Sequence, residues 1–469
     1  MKLNLGDNGF KVLNDKEILQ IIDTAMHILE KSGVWVENVS MLDRLAEFGG
    51  KADYDKQRIY FEKRLIEQFI SKRKKAKWDQ RPVSFTAAVE IFQGYFLDPA
   101  DDSYKQWDQK SFLNYIKVAK GLKNISGIYL LGCPVKEVPL QQQPLYEKLY
   151  CWKYGITGGE AIWNTALCPQ ILELFKVYSD EIGKDIKDVF NGRVYLISPL
   201  KFGRVETEQF MYFYEKGLKP RVGYNGALGA AYPATIAGGL ALQLAENFFV
   251  SIINKTFYNE DEFSIGTSIS ATDMSTGAFQ YGRPEKNISN VAMSQIARFL
   301  GVEFSGHCGL SDAKVPGCEA GMQKVSSAIF NAIAGGNGHI AAGLLSSDEV
   351  FSPIQMIFDD EITGAFKHVC NGVEVNEETL ALESIIEEGP GSNFLATEHT
   401  AMNFREALWQ PSVWSKSMFG QWDSKGRKND TDIAKEKYFK LIKNDSLLTS
   451  NISEKAESEI MKIISRTKI

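Results

Sequence analysis

The chain has 469 residues, 44% of them hydrophobic and 24% charged, with 53 basic and 59 acidic side chains and a formal net charge of −6. That balance is ordinary for a globular protein, and the acidic surplus argues against a nucleic-acid binder, which carries a basic face. The length exceeds what one core usually spans, so a principal domain with additions is expected.

The opening MKLNLGDNGFKVLND has no signal-peptide core. No apolar run reaches the roughly 20 residues of a membrane span, and the tract around Ile252 and Ile253 reads as an amphipathic helix broken by Asn247 and Asn254. The six cysteines at 133, 151, 168, 308, 318 and 370 form no Cys-x-x-Cys pair, which points to a reduced, cytoplasmic setting without disulfides. In KEILQIIDTAMHILEK, Ile18, Ile21, Ile22, Ala25 and Leu29 form one helical stripe, and Gly33 stops it. VWVE reads as a strand, MLDRLAEFGG as a second helix and RIYFEKRLIEQFISKRKK as a third. Its basic end, Lys72 to Lys75, reads as a solvated C-terminal cap. Residues 1–85 thus form an α-rich accessory region, and residues 86–110, which alternate around Gly and Asp turns, an antiparallel ribbon.

From residue 111 to 400, strands alternate with helices. GIYLLGCPV, GITGGEAIW and RVYLISPLKFG come first. Between Pro220 and Val369 one unit then recurs four times, with strand-and-turn pieces PRVGYNGALGAAYP, EFSIGTSISATDM, VEFSGHCGLSDAKVP and GHIAAGLLSSDEVFSP, each followed by a long helix. A parallel neighbour needs such a crossover, and a run such as HIAAGLL suggests a strand buried on both faces. The fold class is therefore α/β, a closed (β/α)8 TIM barrel with its chemistry at the C-terminal ends of the strands. Seven strands are countable from GIYLLG onward, and the eighth falls in the ribbon or near 389–396. Residues 401–469 form a C-terminal helical extension.

No P-loop, no Gly-x-Gly-x-x-Gly after a strand and no His-Glu-x-x-His is present. His307 and Cys308 are a weak metal signal, because adjacent strand residues point opposite ways. The expected mouth offers Glu160, Trp163, Tyr224, Asn225, Phe279, Tyr281, Arg283, His307, Asp312, Lys314, His339 and Ser346, with Cys133, Ser268, Asp273 and Asp348 nearby. Each has a plain structural reading as well: a core histidine, an Asp cap, a rim aromatic, a Lys314–Asp312 pair. The set is rich in aromatics and hydroxyls yet has no evident nucleophile–base pair. That suits a site that binds and orients, and aromatic faces are what holds a quaternary ammonium, which has no hydrogen to donate.

The segments HILEKSGVWVE, YPATIAGGLALQLAEN, SDAKVPGCEAGMQK, GGNGHIAAGLLSS and FLATEHTAMNFREALWQPSVWSKSMFGQW, in this order, resemble the trimethylamine methyltransferase superfamily. Every position is a standard residue, so the likeness is to the branch without pyrrolysine. The resemblance implies a TIM barrel that moves a methyl group from a quaternary amine, such as a betaine, to a Co(I) corrinoid held by a separate partner protein. No tightly bound cofactor or metal is implied. A quaternary amine departs as a neutral tertiary amine, so orientation and desolvation are what the chain must supply. Trp163, Tyr224, Phe279 and Tyr281 are candidate cage walls, and His307, His339, Lys314 and Arg283 candidate receivers of a substrate carboxylate. Cys318 and the bulky turn Gly223-Tyr224-Asn225-Gly226 depart from the family pattern, which leaves the particular amine open. The alternatives are a lyase or hydrolase using Glu160, Asp273 or Asp312, and a betaine-binding protein without turnover. The Trp-rich segment and accessory helices suggest a homo-oligomer, with Trp409, Trp414 and Trp422 otherwise packing the extension onto the barrel.

Overall fold

Strands alternate with helices through residues 85–370 of the computed structural model, which describes residues 10–72, 75–78, 83–261 and 263–467. Eight units run in order. The strands Phe85–Ile91, Ile125–Leu130, Thr157–Gly158 and Arg193–Tyr195 precede the helices Gln109–Gly121, Gln143–Tyr154, Cys168–Ile182 and Arg204–Glu215. The remaining four are the repeated units of the sequence. Arg221–Gly223 and Gly226–Leu228, then Ser264–Thr267 and Ile269–Thr272, then Glu303–Gly306, then Gly338–Ala342 precede the helices Ile236–Tyr258, Pro284–Leu300, Cys318–Ile333 and Pro353–Cys370.

The pairing is parallel throughout this series. Phe85–Ile91 pairs with Ile125–Leu130, which pairs with Thr157–Gly158; Ala161 bridges to Arg193; Arg193–Tyr195 pairs with Arg221–Gly223. Gly226–Leu228 pairs with Ile269–Ala271, and Ser264–Thr267 with Glu303–Gly306. The Ala341 N–H donates to the Gly309 carbonyl (3.0 Å). Gly309 has φ +76°, and a Cβ there would stand 2.0 Å from the His339 carbonyl, so only glycine admits this approach. The last strand, Gly338–Ala342, pairs with the first, Phe85–Ile91.

One face of these strands carries Ala87, Val89, Ile128, Leu130, Val194, Ile265, Phe304, Ile340 and Ala342, all buried. Residues paired across parallel strands share a face, so the other face holds Thr86, Glu90, Tyr129, Thr157, Arg193, Tyr195, Arg221 and His339. Tyr129 and Tyr195 are 36% and 39% exposed. Burial on both faces, expected from HIAAGLL, therefore holds only locally. Ile125–Leu130, Arg193–Tyr195, Ser264–Thr267 and Glu303–Gly306 alternate because their second face is polar, whereas Gly226–Leu228 and most of Gly338–Ala342 are buried on both faces.

Three further expectations need correction. The eighth parallel strand lies in the ribbon region, one of the two places expected for it: it is Phe85–Ile91, so the antiparallel ribbon itself is confined to Tyr95–Asp98 against Ser103–Gln106. No strand lies at 389–396. Arg58–Tyr60 is a strand between Val34–Val36 and Lys51–Asp53, so the third helix starts only at Lys63. Of the basic run, Lys72 is that helix's C-cap, and Arg73 and Lys74 lie outside the described residues.

The first helix, Asp15–Lys31, buries the expected stripe and is closed by an Asn14–Glu17 capping box. Val34–Val36 then pairs parallel with Lys201–Phe202, which docks the N-terminal region onto the connection after Arg193–Tyr195. Ile236–Tyr258 is, at 23 residues, long and apolar enough to cross a membrane by length and composition, contrary to the sequence expectation, but 72% of its apolar window is buried in the fold. The helix Glu454–Arg466 buries Ala456, Ile460, Ile463 and Ile464, and its Ser453 cap donates to Glu181 on Cys168–Ile182. The short helices between Glu377 and Ser424 bury nothing, whereas Glu361 anchors their far end by accepting the N–H groups of Ser412, Val413 and Trp414.

Candidate functional site

The inner face gathers its chemistry where the last two strands meet the first. The His339 Nε2 stands 3.5 Å from the Glu90 carboxylate, and its Nδ1 3.1 Å from the Thr86 hydroxyl. Burial alone would raise the Glu90 carboxyl, but the hydrogen bond and charge of His339 hold it below the usual range. His307 follows the strand Glu303–Gly306, and its Nδ1 lies 3.2 Å from the Ser268 hydroxyl, which in turn donates to Asn225 (3.2 Å). Burial, and then the Lys286 charge, push the His307 imidazole down to about 3, so it is neutral at pH 7.

A short connection covers this cluster. The Tyr281 ring meets His307 edge to face at 5.5 Å and Phe279 at 4.9 Å. Its hydroxyl donates to Asp348 (2.8 Å). Lys286, fully buried, places its ammonium 5.0 Å from the same ring. Burial brings that ammonium down to about 8 and pushes the Asp348 carboxyl up to about 7. Asp312 fastens the connection, accepting from the Tyr281 N–H (2.6 Å), the Gly282 N–H (2.7 Å) and the Ser347 hydroxyl (2.7 Å). Ser346, Ser347 and Asp348 run through the left-handed region at φ +53°, +52° and +78°. Three consecutive non-glycine residues there store strain, which the Ser346 and Ser347 N–H bonds to the Ala313 and Ser311 carbonyls sustain.

Farther round the same face lies a second charged group. Glu160 sits between Arg193 (Nε to Oε2, 2.8 Å) and Arg221 (Nη2 to Oε1, 2.9 Å). Tyr195 packs over Gly223, where a Cβ would meet its ring at 2.7 Å.

Of the residues singled out from the sequence, Asn225, Phe279, Tyr281, His307, Asp312 and His339 converge. Ser346 belongs to the strained turn and donates to Glu349 (3.1 Å). Glu160 joins the arginine group. Tyr224 points the other way and donates to Asn247 in the helix Ile236–Tyr258, because one step along a strand reverses the face. Trp163 is 60% exposed beyond its strand. Arg283 pairs with Asp273 (2.6 Å) at the surface, and Lys314 bonds the Asp312 carbonyl (2.9 Å) rather than its carboxylate. Glu90, Lys286, Arg193 and Arg221 escape the sequence reading.

The arrangement can hold and orient a cation, but it offers no nucleophile. Cys308 turns its thiol toward the carbonyl of His339, away from the His307 ring, and burial pushes it up to about 12; burial does the same to Cys133. The carboxylates proposed for acid–base work are committed elsewhere: Asp273 caps Ser275 and Thr276, Asp312 is saturated, and Glu160 is neutralised. Among the described residues no group of three or more His, Cys, Asp or Glu could hold a metal ion.

A family model and several known proteins are similar to this chain. A family model for trimethylamine methyltransferase (MTTB) matches residues 169–468. Glycine betaine methyltransferase of Desulfitobacterium hafniense (strain Y51) is 26% identical over 444 residues, 88% of this chain and 88% of that protein. Trimethylamine methyltransferase MttB of Methanosarcina barkeri is 30% identical over 277 residues, 58% of this chain and 55% of that protein. Among solved structures, monomethylamine methyltransferase of Methanosarcina barkeri aligns over 98% of this chain and 96% of that chain, with TM-score 0.42 and 11% identity.

Proposed function

Because the chain belongs to the trimethylamine methyltransferase family, we propose that it transfers a methyl group from a quaternary amine of betaine type to the Co(I) corrinoid of a partner protein. The observation that carries this reading is an inner face with aromatic rings and carboxylates for a cation, but no nucleophile of its own. The corrinoid supplies the nucleophile when its protein docks. This chain's residues bind, orient and exclude water. Tyr281, which also meets Lys286, and Phe279 offer ring faces, each good contact contributing roughly 0.5–2 kcal/mol, while Glu90 supplies negative charge beside them. The amine leaves neutral, so no proton has to be delivered, and a neutral His307 does not repel the cation.

The (β/α)8 barrel belongs to the same reading. Eight strand–helix units, with the last strand paired to the first, are what a closed barrel requires, and the polar inner face then becomes its lumen. Exposed Leu140, Trp163, Ile197, Met274 and Val315 stand on connections that follow strand C-termini, an apolar rim suited to the corrinoid protein. Self-association has separate support. Residues 371–410 carry eight glutamates against one arginine, Arg405, whereas Lys416, Lys425, Arg427, Lys428, Lys435 and Lys437 follow closely. Val373, Val375, Ile386, Leu395, Met418 and Phe419 are exposed between them. The exposed apolar residues, rather than the charges, are what a second copy would cover, because Arg427, Lys428, Lys435 and Lys437 already pair with Asp423, Glu436, Asp102 and Asp360.

The test is methyl transfer to reduced cobalamin, followed by the absorbance change that accompanies methylation, across glycine betaine, γ-butyrobetaine, carnitine, proline betaine and trimethylamine. Turnover with at least one quaternary amine and none with trimethylamine is expected. Silence throughout, with the cobalamin verified as reduced, overturns the reading.

A further inference from the structure

Arg193 and Arg221 are in register on neighbouring parallel strands, so both guanidiniums reach the same stretch of the inner face. Two permanent positive charges meet one carboxylate there, Glu160, and the group keeps a net positive charge. A guanidinium offers about five N–H donors in a planar fork. Arg221 donates one to Glu160 Oε1, Arg193 meets Oε2 as an ion pair without a hydrogen bond, and the Tyr195 hydroxyl engages Arg193. The Arg221 side chain remains 55% exposed. Gly223 keeps the space beside it clear, since a Cβ would crowd the Tyr195 ring and come within 3.5 Å of the Arg193 Cδ.

The other cations near the inner face are committed. Lys286 is buried against Tyr281 and Ser270, Lys324 is buried against Asp359, and Arg283 is paired at the surface. The inner face is therefore divided. Glu90, with aromatic rings beside it, makes one side suited to an ammonium group; the arginine pair makes another suited to an anion.

We propose that Arg193 and Arg221 receive the carboxylate of the betaine-type substrate and so set which quaternary amines the site prefers. This rests on the methyl-transfer reading and names the residues that recognise the anionic end of its substrate. A carboxylate can accept in parallel from a guanidinium fork, a charge-assisted arrangement that a lysine does not reproduce. Glu160 holds the two arginines side by side and competes with the incoming anion for the same donors. The two roles give substitutions of opposite sign.

The experiment compares wild type, Arg221→Gln, Arg221→Lys and Glu160→Gln in the full chain. The probes are glycine betaine and γ-butyrobetaine, which carry a carboxylate, against tetramethylammonium and choline, which do not. Arg221→Gln should raise KM for the carboxylate-bearing probes by about 10- to 100-fold, the weight of one charge-assisted hydrogen bond. Its kcat should hardly change, because the contact is equal in ground and transition states, and KM for the other probes should stay the same. Arg221→Lys should recover part of the loss, and Glu160→Gln should lower KM for the betaines alone. A betaine KM within about twofold of wild type in Arg221→Gln, or equal losses for both kinds of probe, overturns the assignment. If no quaternary amine turns over, methyl transfer falls separately, and calorimetric titration still decides the subsite. Tighter binding of the betaines that is lost in Arg221→Gln sustains it, and equal affinities for all four probes overturn it.

Discussion

Two ionic groups flank the inner face, built from the same chemistry and finished differently. Behind the last strand, Lys324 and Asp359 form a pair with both side chains 0% exposed (2.7 Å). Lys324 also donates to the Ala341 carbonyl (2.6 Å), and Asp359 accepts from the Gly343 N–H (2.8 Å) and from Gln355 (2.8 Å). Its hydrogen bonds are largely made inside the protein, and what it fixes is the strand that carries His339. Across the face, Arg193, Glu160 and Arg221 are 32%, 13% and 55% exposed and keep donors to spare. A saturated, dry group determines where a strand lies. An unsaturated, wet one can take a ligand.

The sharpest way to break this contrast is to remove one partner of the dry pair. Asp359→Ala leaves the Lys324 ammonium buried and uncompensated, which should cost about 3–5 kcal/mol of unfolding free energy in urea denaturation. Replacing both, Lys324→Met with Asp359→Leu, should recover much of that loss, because the uncompensated charge is then gone. A cost under about 1 kcal/mol for Asp359→Ala would put the pair on the same footing as a surface bridge and remove the distinction.

Between the two groups lie buried charges that are neither saturated nor wet, and pH separates them from both. Asp348, facing Tyr281, Glu90, Lys286 and Asp312, titrates near 7 in the fold instead of its ordinary 3.8. Between those values the folded chain keeps a proton that the unfolded chain has lost, so stability present at pH 4 falls as pH rises to 7. Lys286, at about 8 instead of 10.5, acts in the opposite sense, and stability rises from pH 8 toward 10.5. A shallow minimum between about pH 7 and 8 follows, with a slope of at most about 1.4 kcal/mol per pH unit from each group. Asp348→Asn keeps an acceptor for Tyr281 and should flatten the acid limb when its denaturation is compared with wild type at pH 4.5, 6 and 7.5. An unchanged slope would place Asp348 in water.

The strand–helix alternation is legible in the sequence because each repeated unit couples an apolar strand to a long amphipathic helix, and all four coincide with observed units. The first strand is not. In FTAAVEI, Thr86 and Glu90 alternate with buried Ala87 and Val89, a period-2 pattern that reads as ribbon. Barrels ordinarily fill the inner face of their strands with apolar side chains; the corresponding face of Phe85–Ile91 carries Thr86 and Glu90, so the cue for a buried parallel strand is absent. Glu90 escapes for the same reason. Arg193 and Arg221 open their strands, where a charge ordinarily marks solvent. Lys286 sits in PEKNISN, which reads as a surface turn of helix until packing buries it. The histidines and Tyr281 stand out because aromatic and titratable residues just past a strand end fall where a barrel gathers its chemistry. Tyr224, one residue from Asn225, shows that proximity in sequence does not settle which face a side chain takes.

The smallest expected effect is the one that closes the contrast. Arg221→Gln removes an ion pair whose arginine is mostly in water, and Glu160 keeps Arg193 as its partner. Surface pairs of this kind contribute about 0–1 kcal/mol, because Coulomb attraction in water barely exceeds the entropy of fixing two long side chains. The urea midpoint of Arg221→Gln should therefore stay close to wild type, with an unchanged slope. Added salt should erase most of what difference remains, since exposed charges are screened over about 10 Å at 0.1 M. The same substitution is expected to weaken betaine binding by an order of magnitude or more, so a large binding loss with little stability loss identifies a receptive group. If Arg221→Gln instead destabilises the fold as Asp359→Ala does, the arginines brace the strands, and their spare donors have a structural use that the open face conceals.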